Sequence, residues 1–265
     1  MNIDKKYYQE INENLTNTIQ DTNISAPNKK VGKVRDAYFL NDKVVMISTD
    51  RQSAFDRVLA AIPYKGAVLN SVSAWWFKKT EHLFPNHLIS TPDPNVSIVE
   101  KCTVFPVEFV VRGYITGTTD TSLWTVYNNG DREYCGNSLP EGLKKNDKLD
   151  KPMLTPTTKD KVHDRPVSRE EIIDLGLMSA EDYDLAAKMS LDLFAFGQET
   201  AKKNGLILVD TKYEIGTDSK GKIKFVDEIH TPDSSRFWIS SSYKDRINSG
   251  QEPENIDKEF LRLWF

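Results

Sequence analysis

Apolar and polar positions follow two different periods along this chain, and the changes of period mark its elements. Tyr38 to Leu40 and Val44 to Thr49 are apolar runs split by Asn41-Asp42, a dipeptide suited to the positive φ angles of a tight turn, which predicts a β-hairpin. Val68, Leu69, Val72, Trp75 and Trp76 recur at the spacing of one helical face, which predicts a helix packed on a sheet through that aromatic stripe. Val104 to Ile115 is rich in β-branched and aromatic residues, and Pro106 within it points to an edge position or a strand start. Asn128 to Arg165, dense in proline and glycine, reads as loops between lobes. Ser168 with Glu171 forms a capping box for a short helix ending at Gly176, and Ser179 with Asp182 opens a longer one. The inner stripe of that second helix is Ala186, Met189, Ser190, Leu193, Phe194, Gly197 and Ala201, and Asn204-Gly205 stops it. A second hairpin, Leu206 to Ile215 and Ile223 to Ile229, turns at Thr217 to Gly221. Strands and helices mix without regular β-α-β alternation, so the class is α+β.

Composition narrows the field. A chain of 265 residues with 38% hydrophobic positions buries a sizeable core, as one compact unit or as two lobes sharing a cleft. Thirty-five lysines and arginines stand against 39 aspartates and glutamates, so the net charge of -4 gives no overall pull toward nucleic acid or membrane lipid. Basicity for binding phosphate must be local. No apolar run nears the roughly 18 residues that cross a bilayer, and Met1 to Asn14 lacks the apolar centre of a signal peptide, so a cytoplasmic location is expected. Cys102 and Cys135 have neither metal-ligand spacing nor the density of a disulfide scaffold, and the four histidines are scattered, so no zinc site is expected.

Five segments carry candidate chemistry. In Gly32-Lys33-Val34-Arg35-Asp36, an extended backbone puts Lys33 and Arg35 on one face, suited to a polyphosphate or to a solvated edge strand. Asp50 to Asp56 follows a buried-looking strand and reads as a binding loop, or as a turn capped by Ser53 and Asp56. Glu108, Val110 and Arg112 share one face of a strongly apolar strand, where the two charges satisfy each other or take separate partners such as a ligand. Asp210, Lys212 and Glu214 share another strand face. With Asp227 or Glu228, whichever the register turns inward, they form a magnesium site or a solvent-facing salt-bridge ladder. Thr231 to Trp238 sets hydroxyls beside Arg236, as a phosphate clamp or a capped turn.

At these residues the chain resembles the phosphoribosylaminoimidazole-succinocarboxamide synthase, or SAICAR synthetase, family. The likeness runs from about Val31 to the C-terminus. It is carried by G-K-V-R-D, S-A-F-D at Ser53 to Asp56, the run from Val104 to Thr118, V-D-T-K-Y-E-I-G at Val209 to Gly216, and Asp227 to Trp238. Thr118 stands where that family usually has serine, and Ile215 where it usually has phenylalanine. The resemblance implies an N-terminal ATP-binding lobe over residues 1–112 and a substrate-binding lobe over 113–265, with an ATP cleft between an antiparallel sheet and the rest. It assigns Lys33, Arg35, Glu108 and Lys159 to ATP, with Lys159 on the Thr155 to Asp164 loop, and Glu214 and Asp227 to magnesium. It assigns Ser53, Asp56, Arg112, Thr118, Asp210, Lys212, Arg236 and Arg262 to the imidazole nucleotide or its reacting carboxylate, with Lys212 and Asp210 catalytic.

The activity so implied is an ATP-dependent ligation of L-aspartate to a carboxyaminoimidazole ribonucleotide, with magnesium as cofactor and the chain a monomer or homo-oligomer. A carboxylate resists amines until ATP converts it to an acyl phosphate, and that transfer needs positioning and charge neutralisation rather than a protein nucleophile. A kinase-like phosphotransferase would show H-R-D and D-F-G runs, which are absent. A nucleotide-sensing module would lack the carboxylates or the phosphate lysine, which are present.

Overall fold

The computed structural model describes residues 5–26, 28–54, 57–159 and 164–259. Asp56, Arg262 and positions 160–163 of the Thr155 to Asp164 loop lie outside the described residues. The chain forms two compact units, one of residues 1–78 with 87–101, the other of 79–86 with 102–265.

In the first unit, α1 (Lys5–Glu13) precedes β1 (Lys29–Val31), β2 (Arg35–Phe39), β3 (Lys43–Ser48), β4 (Arg51–Ala54) and β5 (Arg57–Ala61). Then come α2 (Lys65–Thr80), β6 (Leu88–Asp93) and β7 (Val96–Glu100). Five strands make an antiparallel sheet in the order β1-β2-β3-β7-β6, and β4-β5 is a separate hairpin. The predicted first hairpin is β2-β3, yet neither Asn41 nor Asp42 has a positive φ. Leu40 N–H donates to the Lys43 carbonyl at 2.9 Å, which leaves Asn41 and Asp42 at the reversal. The buried face of α2 is also turned from the predicted stripe. Leu69 and Trp76 are buried, but Val68 and Trp75 are about half exposed, at 52% and 51%. Polar residues take the inner positions because the sheet offers them partners: Asn70 accepts from the Ser97 hydroxyl at 2.7 Å and donates to the Pro94 carbonyl at 3.0 Å.

The second unit opens with β8 (Thr103–Tyr114), followed by α3 (Leu123–Asn128), β9 (Glu133–Tyr134), β10 (Asn137–Ser138), β11 (Lys148–Leu154) and β12 (Thr157–Thr158). It continues with α4 (Arg169–Asp174), α5 (Ala180–Lys203), β13 (Leu206–Thr217), β14 (Ile223–Val226), β15 (Ser235–Ile239) and α6 (Ser240–Asn248). The sheet runs β11-β8-β13-β14, with β12 also on β8 and β15 also on β13. Thus β8 is a central strand. Pro106 is tolerated near its start because the β8-β13 ladder shifts register between Glu214 and Gly216, where a residue without an N–H breaks no regular pair. Asn128 to Arg165 is no string of loops between lobes: Tyr134, Leu139 and Leu149 from it pack with Ile115, Leu123 and Tyr127 in one core cluster.

Both predicted helices are present. Ser168 and Glu171 form a full capping box on α4, Ser179 caps α5, and the buried stripe of α5 contains every predicted residue plus Tyr183. That stripe covers the apolar face of β8 and β13, where Val107, Phe109, Val111, Tyr213 and Ile215 are fully buried. The opposite face therefore carries the alternating charged residues. On the far side of β13, β15 pairs from Leu206 to Thr211 and β14 from Glu214 to Thr217, so the Asp227 to Ser234 loop springs from the gap beside Lys212.

Candidate active site

Register brings the charged positions of β8 and β13 side by side: Asp210 opposite Arg112, Lys212 opposite Val110, and Glu214 opposite Glu108. Two clusters result on one sheet face, two residues or about 7 Å apart along the strand. In the first, the Arg236 guanidinium on β15 donates to Asp210 at 2.5 Å, and Arg112 lies 3.7 Å from the same carboxylate oxygen. Arg112 also donates to the Thr155 hydroxyl at 2.9 Å. Glu259 approaches Arg236 at 3.6 Å and accepts from the Thr118 hydroxyl at 3.5 Å. Burial opposes the Arg236 charge, but Asp210 and Glu259 outweigh it and hold the guanidinium firmly protonated. Thr118, Arg236, Trp238 and Glu259 line a small open pocket together with Lys145 and Glu252. Gly117, at φ 109°, turns the backbone into that pocket, and a Cβ there would strike the Ser122 side chain at 2.4 Å.

In the second cluster Lys212 donates to Glu108 at 2.6 Å and stands 3.9 Å from Glu214, whose other oxygen meets Lys159 at 2.5 Å. Burial pulls the Lys212 ammonium down, while Glu108, Glu214 and Asp227 together push it above its ordinary value, so it is charged at neutral pH. Glu108 and Arg112 accordingly do not satisfy each other; each has partners on neighbouring strands. Asp227 ends β14 with a φ of 63°, which cuts short the strand predicted to reach Ile229. Glu228 is buried and accepts from Thr231 at 2.7 Å, inside a loop where Thr231 and Ser234 cap each other. Asp227 contributes to the field at Lys212.

Among the described residues no three or more His, Cys, Asp or Glu side chains converge as a ready ligand set. Hard carboxylate oxygens at Glu214 and Asp227 nonetheless suit magnesium, which commonly takes one or two carboxylates and completes its shell with phosphate and water.

The first unit places Lys33 differently from expectation. Gly32 to Val34 is a tight turn rather than an extended strand, so alternation does not set Lys33 and Arg35 on one face. Lys33 is exposed on the turn and Arg35 begins β2. Ser53 is buried on strand β4, opposite Val58, rather than on a loop. Sequence reasoning missed Arg51, whose guanidinium is buried against this turn, and Glu259; a charged residue inside an otherwise buried segment was the available signal for Arg51.

An α+β fold that gathers paired cations and carboxylates on adjacent central strands places the chain among enzymes acting on anionic substrates. The SAICAR synthetase family model matches residues 28–265, and the chain belongs to that family. The phosphoribosylaminoimidazole-succinocarboxamide synthase of Legionella pneumophila (strain Lens) is 60% identical over 247 residues, covering 93% of this chain and 79% of that protein. The chloroplastic enzyme of the same name from Vigna aconitifolia is 57% identical over 256 residues, covering 95% and 75%. Among solved structures, the Saccharomyces cerevisiae SAICAR-synthase complexed with SAICAR shares 33% identity at a TM-score of 0.79, over 93% of this chain and 86% of that one. A type-2 SAICAR synthetase in complex with ADP shares 26% at 0.73, over 89% and 90%. No helix among the described residues is long and apolar enough to cross a membrane.

Proposed function

We propose that this chain joins the amine of L-aspartate to the carboxylate of 5-amino-1-(5-phospho-D-ribosyl)imidazole-4-carboxylate, using ATP and releasing ADP and phosphate, as a ligase of purine biosynthesis. Membership of the family supports the reaction, and the Asp210-Lys212-Glu214 strand face is the observation that carries its location. In this reading Arg112, Thr118, Asp210 and Arg236 hold the imidazole nucleotide, its phosphate taking the pocket at Thr118 and Arg236. Lys33, Arg35 and Lys159 neutralise the phosphates of ATP, and Glu108 is assigned to ATP on the strand that meets the adenine edge. Ser53, Asp56 and Arg262 complete the substrate contacts.

The carboxylate oxygen attacks the γ-phosphorus and ADP leaves. The amine then attacks the acyl carbon, phosphate departs with the C–O electrons, and the nitrogen loses a proton to solvent. Lys212, held charged between Glu108 and Glu214, offsets the negative charge that builds as two anions are brought together. Asp210 orients both arginines against the nucleotide. Magnesium, when held by Glu214 and Asp227, supplies further charge neutralisation at the phosphates. A cytoplasmic location belongs to the same proposal, with the chloroplastic relatives as the alternative that cell fractionation distinguishes.

Kinetics of Lys33→Ala and Arg35→Ala test the assignment of the ATP end: the KM for ATP rises roughly tenfold or more while that for L-aspartate changes little. Equal effects on all three substrates count against it.

A further inference from the structure

The Gly32 to Arg35 turn has an unusual relation to its own carbonyl groups. Arg51 lies on β4, with Asp50 just before it anchoring the turn into α2: one Asp50 oxygen accepts from Ile19 N–H at 2.8 Å and the other from Gly66 N–H at 2.9 Å. From this fixed support the Arg51 Nε donates to the Lys33 carbonyl at 3.1 Å and its Nη2 to the Gly32 carbonyl at 3.0 Å. The same Nη2 donates to Asp36 at 2.7 Å, and Nη1 donates to the Gln20 carbonyl at 2.6 Å. Thr49 takes the next carbonyl, Val34, through both its N–H at 2.9 Å and its hydroxyl at 2.8 Å. The Arg35 carbonyl accepts from Gly32 N–H at 2.7 Å, which closes the turn. Gly32 is required there, since a Cβ would stand 2.8 Å from that oxygen.

Every carbonyl from Gly32 to Arg35 is thus drawn to a donor of the protein itself. A carbonyl oxygen turned toward a polyphosphate repels it, and for Gly32 and Lys33 it is Arg51 that fixes where the oxygens point. The guanidinium fork suits the task because its donors diverge in one plane and reach carbonyls of successive residues, which an ammonium on a flexible stem cannot do together. Asp36, fully buried, fixes the fork from the opposite side and is itself held by the Thr22 hydroxyl at 2.6 Å and Lys29 at 3.1 Å.

We propose that Arg51 is a positioning residue for ATP, holding the Gly32 and Lys33 carbonyls of the turn away from the phosphates so that Lys33 and Arg35 meet them. This rests on the reading of that turn as the phosphate-binding end of the site. Arg51 touches no substrate in this account and acts only through the turn.

The test compares Arg51→Ala with the unaltered protein for the KM of each of the three substrates, ADP affinity by calorimetry, and melting temperature, with and without millimolar guanidinium chloride. The expected result is a KM for ATP raised on the order of 10- to 100-fold, with the other two KM values within about twofold. Guanidinium, but not sodium at equal ionic strength, should recover part of the ADP affinity. A folded variant with an unchanged KM for ATP, or with all three KM values raised alike, overturns the proposal. Gly32→Ala provides the second route, since it disturbs an exposed turn while Arg51 remains. It should reproduce the ATP-selective defect, and if Arg51→Ala does not fold, an unchanged ATP affinity in Gly32→Ala overturns the proposal instead. Lys33→Ala and Arg35→Ala separate the two ideas: if both leave ATP affinity intact, the phosphate reading of the turn fails. If they weaken it and Arg51→Ala does not, the positioning role alone fails.

Discussion

Lys212 sits where three carboxylates would otherwise face one another, and this gives its replacement two separable consequences. Lys212→Met keeps much of the stem and removes the charge, so Glu108 and Glu214 lose their shared cation. Turnover should fall on the order of 100- to 1,000-fold, as expected for loss of one preorganised charge at a developing anion. Stability should fall too, because burying like charges without a partner is costly. Adding Glu108→Gln relieves that repulsion, so the double variant should recover melting temperature without recovering single-turnover rate. A stable Lys212→Met protein with near-normal turnover would sink the catalytic role. Beyond the neighbouring strand end, the buried Glu228 accepts from the Thr231 hydroxyl, and the two adjacent acids can be tested separately. ATP with magnesium should raise the melting temperature by mass action, and this gain should shrink in Glu214→Gln and Asp227→Asn. Calorimetry with and without chelator decides, and a full gain in Asp227→Asn alongside none in Glu228→Gln would reverse the assignment.

At the level of single elements, α5 tests the packing of the site's support. Gly197 faces His230, and an added Cβ would lie 2.4 Å from the His230 ring and 2.7 Å from Leu208. Gly197→Ala should therefore cost about 1–3 kcal/mol by overpacking, read by chemical denaturation; a neutral effect would mean that α5 shifts freely. Elements of this kind were the legible part of the sequence. The α5 stripe and the Ser168 capping box depend on contacts within a few residues, so spacing alone exposes them. What was hidden depended on partners far away in sequence. The face of α2 is rotated because Asn70 bonds Ser97 and Pro94, and Pro106 sits in a central strand because β8 is itself irregular there, residues 105–107 lying between pairs that only Ile215 separates on β13. Lys33 leaves the extended path because Arg51, 18 residues on, holds its carbonyl. For the candidate site, alternation placed Asp210, Lys212 and Glu214 on one face, as found. It could not tell which strand would lie opposite, and so missed that Glu108 pairs with Lys212 and Arg112 with Asp210.

For the molecule as a whole, two buried groups give stability an acid dependence with opposing signs. Burial pushes His230 down to about 3 from 6.5, with Tyr213 bonded to its Nε2 at 2.5 Å. The unfolded chain therefore takes up this proton first, and stability is lost as pH falls from about 6.5 toward 3. Burial pushes Asp257 up to about 6, against the backbone N–H bonds from Glu259 and Phe237 that favour its charged form. The folded chain takes up that proton first, so this group adds stability as pH falls from about 6 toward the ordinary value of 3.8. Between pH 4 and 6 the two contributions oppose each other, so His230→Gln should shift the slope of stability against pH toward a gain as pH falls and Asp257→Asn toward a loss; equal slopes in all three proteins would contradict both assignments. The activity itself is open to one direct measurement. Purified protein is mixed with ATP, magnesium, L-aspartate and the carboxylated imidazole nucleotide, and all products are quantified over time. The account predicts ADP, phosphate and the succinocarboxamide in equal amounts, each requiring every substrate. ADP formed in step with a stable phosphorylated acceptor, or no succinocarboxamide from folded protein, would contradict it.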